Sequence, residues 1–298
     1  MIAERQAPTL LLVDASSLAY RAYHAIPSLK SPDGKSETNA MQGFLNFVSR
    51  LLTDRRPTRL VVALDDDWRP AFRVAALPSY KTHRLAAPGD PEDEVEPQIP
   101  VIALVLEAIG VAVARAKGYE AEDAIAAIVA RERGPMEIVS GDRDLFALVR
   151  DPDVRVLYTL RGVSELAIVD ETWVERTYGI PGDRYLDYAI LRGDPSDGLP
   201  GVRGIGEKTA SELLRKYGSL EAVLAATDLS PTIRAKLNAA REYLAAAMRV
   251  VAPARDAPVV SEDGTLPPAP RHPARLEELV GRYGLRGPVD RLLRAIAG

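Results

Sequence analysis

Residues Gly193 to Ala210 read G-D-P-S-D-G-L-P-G-V-R-G-I-G-E-K-T-A. They put two carboxylates, Asp194 and Asp197, on a segment too rich in glycine and proline to be a helix interior. A glycine turn follows, with Gly201, Gly204 and Gly206, and runs into a helical pattern from Lys208 to Tyr217. Carboxylates suit a hard divalent cation. A glycine turn feeding a helix N-terminus offers close backbone approach and unpaired N–H groups to a phosphodiester. Side by side, the two suggest metal-assisted chemistry on nucleic acid. The spacing G-x-x-G-x-G is not the dinucleotide fingerprint, and glycine turns before helices are common, so the reading needs support from elsewhere in the chain.

Support comes from three apolar runs that each end on aspartate. Thr9 to Val13 ends at Asp14, Leu60 to Leu64 at Asp65-Asp66-Asp67, and Met136 to Val139 at Ser140-Gly141-Asp142. Short continuous apolar runs predict central strands of a parallel sheet, buried on both faces. Helical patterns lie between and after them, at Asn39 to Leu52, Pro100 to Ile109 and Ala121 to Arg133, which predicts an α/β domain with right-handed crossovers. Ligands of open α/β sheets sit at the carboxyl ends of the strands, where these aspartates fall. Any one of them could equally cap a helix or form a turn. Glu120 and Asp123 share a face at i, i+3 spacing, although acidic residues also favour a helix start. Asp142 and Asp144 point the same way in extended chain.

Composition narrows the chemistry. The 298 residues are 47% hydrophobic and 27% charged, as in an ordinary soluble globular protein, and predict two domains or one large one. Without cysteine there is neither a disulfide nor a thiolate site, and His24, His83 and His272 are too scattered for zinc. A metal here is held by oxygen, which favours magnesium or manganese. The net charge of −4 is carried unevenly: from Gly201 to Val250 eight Lys and Arg residues face five acidic ones. That pattern fits a basic surface around an acidic pocket. With neither a signal peptide nor a membrane-length apolar run, the expected location is cytoplasmic.

After Tyr178 the pattern is mostly helical, at Arg184 to Arg192, Lys208 to Tyr217, Leu220 to Ala225 and Pro231 to Met248. Pro253 to Pro273 reads as extended and irregular, and two short helices close the chain at Ala274 to Tyr283 and Pro288 to Ala297. Between Lys81 and Pro100 a basic stretch gives way to an acidic, proline-broken one. That segment is expected to be a mobile excursion from the sheet, with its acidic run a solvated face.

In order and spacing these pieces resemble the bacterial 5′ nuclease / flap endonuclease family, which includes the 5′–3′ exonuclease domain of DNA polymerase I and its stand-alone relatives. The resemblance rests on Leu11-Leu12-Val13-Asp14 with Leu18-Ala19-Tyr20-Arg21, and on Phe72-Arg73 with Tyr80-Lys81-Thr82-His83-Arg84. It rests also on Gly118-Tyr119-Glu120-Ala121-Glu122-Asp123, on Gly141-Asp142-Arg143-Asp144-Leu145, and on Gly193 to Ala210. It implies a PIN-like α/β nuclease domain over residues 1–177, with an arch segment near 79–100. A helix–three-turn–helix DNA-binding domain and a C-terminal extension would follow over 178–298. The implied metal residues are Asp14, Asp66, Glu120, Glu122, Asp123, Asp142, Asp144, Asp194 and Asp197. Counting back from Phe72-Arg73 selects Asp66 from the aspartate triplet, with Asp65 or Asp67 as substitutes. The turn Gly201, Val202, Gly204, Ile205, Gly206 with Lys208 resembles the family's hairpin, which holds K+ through backbone carbonyls and grips duplex DNA. Lys81 and Arg84 would stand at the base of the arch, through which a single-stranded 5′ end passes. Two positions depart from the family: Glu122 stands where Asp is usual, lengthening reach, and Gly198 replaces an Asn, which is expected to weaken support of Asp197.

The implied activity is metal-dependent 5′–3′ exonuclease and 5′-flap endonuclease hydrolysis of DNA, for primer removal and repair. Two or more Mg2+ or Mn2+ ions would serve, with Lys81 and Arg21 neutralising charge on the phosphate. The substrates would be flapped, nicked or gapped duplexes and RNA primer ends. The alternatives are a structure-specific DNA-binding module with little catalysis and a PIN-type ribonuclease. A chain ending at Gly298 leads to the expectation of a stand-alone, monomeric enzyme. A polymerase or sliding clamp is a conceivable partner, with no docking peptide legible at the C-terminus.

Overall fold

The computed structural model describes residues 10–84 and 92–298. Seven strands form one sheet: β1 (Leu10–Asp14), β2 (Arg59–Ala63), β3 (Ala112–Ala116), β4 (Met136–Ser140), β5 (Val154–Arg161), β6 (Glu165–Val169) and β7 (Val259–Val260). Their order is β6-β5-β4-β1-β2-β3-β7. The five inner strands run parallel, and β6 and β7 close the two edges antiparallel. The chain leaves β1 in one direction through β2 and β3, then crosses back to lay β4 on the other side of β1. That reversal opens a crevice between the carboxyl ends of β1 and β4.

The apolar runs do what their pattern predicts. Leu10 and Leu12 face the helix Ala121–Arg131, where Ala124, Ile125 and Ile128 meet them. Leu11 and Val13 face the opposite layer, with Leu18 of the helix Ala15–Ala25 and Phe44 and Leu45 of the helix Asn39–Arg55. A strand covered on both faces cannot alternate polar and apolar residues, which is why these runs are continuous. The fold is therefore a mixed α/β sheet, mostly parallel, with a helical C-terminal unit.

That unit contains the helices Tyr185–Arg192, Glu207–Tyr217, Leu220–Ala225, Pro231–Ala239 and Arg241–Val250. It shares one core with the helix Ala121–Arg131 side of the sheet. The single helix expected over Pro231 to Met248 breaks at Ala240, whose backbone turns to φ −99°, ψ 12°. Nothing in the local sequence marks the break, since alanine is the best helix former.

The C-terminal extension expected at the end of 178–298 runs back over the nuclease domain. The stretch from Pro253 to Pro273 contributes β7, and the Leu60 N–H donates to the Gly264 carbonyl at 2.7 Å. The helices Pro273–Tyr283 and Arg286–Ala297 then pack against the helices Ile99–Ile109 and Asn39–Arg55 that cover the far face of the nuclease sheet, burying Leu276, Leu279, Val289 and Leu292 with Phe44 and Leu106. Of the arch segment near 79–100, residues 85–91, with part of the acidic run, lie outside the described residues. No helix among the described residues is long and apolar enough to cross a membrane.

Candidate functional site

Asp14 ends β1 and caps the helix Ala15–Ala25, accepting from the Ser17 N–H at 3.1 Å and the Ser140 hydroxyl at 2.7 Å. Ser140 ends β4 and also receives the Asp142 N–H at 2.9 Å, so one hydroxyl fixes the two strand ends together. Asp142 in turn accepts the Asp144 N–H at 2.9 Å. Glu122, in the first turn of the helix Ala121–Arg131, brings a carboxylate oxygen within 4.8 Å of those of Asp142 and Asp144. The Asp197 carboxylate, from the helical unit, is close enough for its charge to act on Asp144.

Burial works against charge throughout this group. It pushes the Asp14 carboxyl up to about 7, with help from the neighbouring Asp65. Burial and then the Asp142 and Asp197 charges hold Asp144 well above the usual carboxylate range, and Asp142 is raised by burial and Asp197. Burial also raises Glu122, opposed by Arg73 and reinforced by Glu120. Four crowded carboxyls without enough countercharge are a site that favours a cation. The donors are all oxygen, which fits magnesium or manganese and excludes a soft-metal site.

A second cluster, Glu120, Glu122 and Asp123, already has its cation. Arg73 is fully buried, and its guanidinium donates twice to Asp123 at 2.7 Å and once to Glu120 at 2.5 Å, with Glu122 at 3.0 Å. Its Nε donates to the Val250 carbonyl at 2.9 Å, tying the nuclease domain to the helical unit. Asp123 also accepts the Glu120 and Ala254 N–H groups. The sequence expectation that Asp123 is a metal residue therefore meets a carboxylate whose oxygens are filled by Arg73 and backbone donors.

Lys81 is buried and its backbone is left-handed, at φ 49°. A non-glycine residue held there carries strain that the surroundings must impose. Lys81 donates its backbone N–H to the Asp197 carbonyl at 3.1 Å and its ammonium to Glu120, with Asp197 Oδ1 4.0 Å away. Burial lowers the affinity of Lys81 for its proton, but Glu120, Glu122 and Asp197 outweigh it and leave the ammonium firmly charged. Arg84 reaches Asp197 at 3.2 Å. Tyr80 is buried, and its hydroxyl donates to Glu120 at 2.7 Å.

In the aspartate triplet the structure turns Asp65, not Asp66, toward Asp14. Asp65 accepts from the Ser16 hydroxyl and from the Ala121 N–H at 2.7 Å. The exposed Asp66 is taken by the Gly118 N–H at 2.7 Å. The turn causes this: the N–H groups of Asp66 and Asp67 both donate to the Tyr119 carbonyl at 3.1 Å, which fixes which side chain looks inward.

Asp194 caps the short 3-10 turn Pro195–Asp197 by accepting the Ser196 N–H at 3.0 Å, and meets Arg192 at 3.5 Å. Gly198, expected to weaken the support of Asp197, instead permits it. At φ 72° a Cβ there would lie 2.3 Å from the Ser79 carbonyl oxygen, so only glycine lets the Ser79–Lys81 backbone come this close. Arg21 stacks against Gly141, where a Cβ would fall 2.3 Å from its Nη2. Its guanidinium faces the same cavity of about 960 Å³ as Asp14, Asp142 and Lys81.

The glycine turn makes a separate surface. Val202 and Ile205 are buried pins, while Arg203, Gly204, Gly206 and Lys208 are exposed. Gly206 precedes the helix Glu207–Tyr217 without a side-chain cap, leaving that N-terminus open. The Gly204 carbonyl accepts from Lys236 at 2.7 Å. Sequence reasoning missed Arg73 as the central countercharge, Ser140 as the bridge, and Arg143 and Trp68 on the cavity wall; Arg73 and Arg143 stood inside the motifs that carry the resemblance, without a role of their own.

Residues 9–179 match the family model of the 5′–3′ exonuclease N-terminal resolvase-like domain, and residues 180–271 that of its C-terminal SAM fold. A 5′–3′ exonuclease of Streptomyces coelicolor is 48% identical over 96% of this chain and 99% of its own. A DNA polymerase I of Mycobacterium bovis is 38% identical over 99% of this chain, which spans 32% of that longer protein. The fold is similar to that of a bacteriophage T5 flap endonuclease, solved in a pseudo-enzyme–product complex with DNA and metal ions, at TM-score 0.65 and 18% identity over 97% of this chain and 99% of that one. By sequence over nearly its whole length and by fold, the chain belongs to the 5′–3′ exonuclease family.

Proposed function

We propose that this chain is a divalent-metal-dependent 5′–3′ exonuclease and structure-specific 5′-flap endonuclease that hydrolyses DNA phosphodiesters. The observation that carries the reading is the meeting of Glu122, Asp142 and Asp144 oxygens within 4.8 Å, beside a buried, charged Lys81. Asp14 and Asp65 flank that group, and Asp194 and Asp197 approach it from the helical unit. These residues would hold Mg2+ or Mn2+. When bound, such ions supply an acidified water and countercharge for the leaving oxygen.

The chain's own groups do the rest. Ser140 and Ser17 orient Asp14, and Glu120 holds Lys81 in place until a phosphate competes for its ammonium. Arg21 and Arg84 bring further positive charge to the same cavity, where charge grows on the phosphate. The exposed Arg203 and Lys208 and the open helix end at Gly206 suit a duplex backbone, read without regard to sequence. Potassium at the turn belongs to the same proposal. It would share the Gly204 carbonyl with Lys236 or use neighbouring carbonyls. Flapped, nicked and gapped duplexes and RNA-primed ends are the proposed substrates, a polymerase the proposed partner, and a cytoplasmic monomer the proposed state.

The test is cleavage of a 5′-flapped duplex, labelled at each end in turn, with magnesium, manganese or chelator. Cutting near the junction, lost in chelator, in Asp142→Asn and in Asp65→Asn but kept in Asp66→Asn, is the expected result. Tight binding with no cutting under either metal would move the reading to a DNA-binding module. Loss in Asp66→Asn alone would restore the assignment made from the sequence.

A further inference from the structure

The cavity that holds the carboxylates extends past them to a wall carrying Trp68, His24, Ile99 and Pro100. Most of its aromatic groups are already engaged. Tyr158 packs edge-on to Phe146, and His24 on Tyr23. Tyr80, behind Lys81 and outside the cavity lining, is buried under Arg73 and Lys81, with its hydroxyl on Glu120. Trp68 differs. It is half-buried, and among the described residues its indole makes no hydrogen bond and no ring contact.

Its backbone, by contrast, is fixed on both sides. Asp67 Oδ1 accepts the Arg69 N–H at 3.0 Å, and the Asp67 N–H is held by Tyr119. The Arg69 side chain donates to the Tyr80 carbonyl at 2.7 Å and to the Pro78 carbonyl at 3.0 Å. A large, flat, partly exposed ring on a fixed backbone at a cavity wall is an energetically costly surface to leave to water alone. A nucleobase has the shape to cover it, and base–aromatic stacking is indifferent to base identity.

We infer that Trp68 is a stacking platform for an unpaired base of the single-stranded 5′ end, and positions that strand beside the carboxylates. The inference rests on the nuclease reading above. It adds a base contact to a site whose other contacts are charges meeting phosphate. It makes Trp68 a positioning residue for flapped substrates, with no part in gripping the duplex.

The test couples the ring to the base. Single-turnover cleavage with magnesium gives the half-saturating enzyme concentration for flaps whose first unpaired nucleotides either carry bases or are abasic. The wild type should lose about tenfold with the abasic flap, and Trp68→Ala about tenfold with the base-containing one. The variant should then lose nothing more on the abasic flap. Trp68→Phe should keep most of the affinity, which separates loss of stacking from loss of fold. Tryptophan emission of the Asp142→Asn protein should be quenched by the flap, and that quench should vanish in Trp68→Phe, where Trp173 remains between Phe146 and Tyr178. Normal cutting with equal abasic penalties in wild type and Trp68→Ala, or a quench that survives Trp68→Phe, overturns the stacking while leaving the nuclease reading intact. Failure of the wild type to cut any flap overturns both.

Discussion

Arg73 shows how the chain can keep so many carboxyls close together. One buried guanidinium meets Glu120, Glu122 and Asp123, and its own burial is tolerated because each donor has a partner. Asp14, Asp142 and Asp144 have no such cation among the described residues, and their protons stay on to unusually high pH. That fixes the sign of a linkage. Burial pushes the Asp14 carboxyl up to about 7 from its ordinary 3.8, and Glu120 up to about 7 from 4.5. Between those limits the folded state binds protons that the unfolded state has released, so stability falls as pH rises through this window. The metal-free protein should therefore show its melting temperature dropping from about pH 5 to about pH 8, since the groups titrate between. Adding magnesium or manganese should raise it more at the upper end, where the ligands are deprotonated and ready. Thermal scans in chelator and in metal, at several pH values, check both halves. A flat chelator profile would mean that these carboxyls find countercharge which the geometry does not reveal.

At the scale of elements, the turn from Gly201 to Gly206 and the helix Glu207–Tyr217 act as one device, pinned inside by Val202 and Ile205 and exposed along its basic rim. Replacing Arg203 or Lys208 by alanine should weaken duplex binding to a similar degree for every sequence. Each change should also lower the slope of log affinity against log salt by about one. Fluorescence anisotropy over a salt series measures this, and an unchanged slope would place those side chains off the DNA. The turn was legible in sequence because glycine marks backbone that other residues cannot follow. β1, β2 and β4 were legible because strands buried on both faces are continuously apolar. β3, reading A-V-A-R-A, was not, since small and charged residues blur its pattern, and β7 is two valines inside a proline-rich stretch. Carboxylates at strand ends could be named from position alone. The inward turn of Asp65 and the exposure of Asp66 could not, because they depend on a turn that hangs two N–H groups on the Tyr119 carbonyl. Nor could the saturation of Asp123, whose partner Arg73 lies 50 residues away in the chain.

For the molecule as a whole, the match to the family's domain models ends at residue 271, while the folded unit does not. His272 and Arg271 donate backbone N–H groups to the carbonyls of Ala108 and Ile109, and this docks the start of the helix Pro273–Tyr283 against the end of the helix Ile99–Ile109. From there Leu276, Leu279, Val280, Leu285, Val289 and Leu292 are all at most 3% exposed, packed with residues of the helices that cover the sheet. Burying each such side chain stabilises by about 1.5–3 kcal/mol, so the group is worth roughly 10 kcal/mol. Even discounted for a compact unfolded state, that rivals the whole stability of an ordinary domain, about 5–15 kcal/mol. A chain trimmed to the family boundary should then lose the face that carries Leu11 and Val13, and with it the register of β1 and the position of Asp14. The trimmed protein should keep far-ultraviolet helical signal, lose near-ultraviolet signal from its tyrosines and tryptophans, bind a hydrophobic dye and fail to cut. Cooperative unfolding near the full-length midpoint would instead show that the two C-terminal helices lie on a sheet already stable without them. The contrast matters for the active site, because Asp14 owes its place to β1, and β1 is held only as firmly as both of its faces are covered.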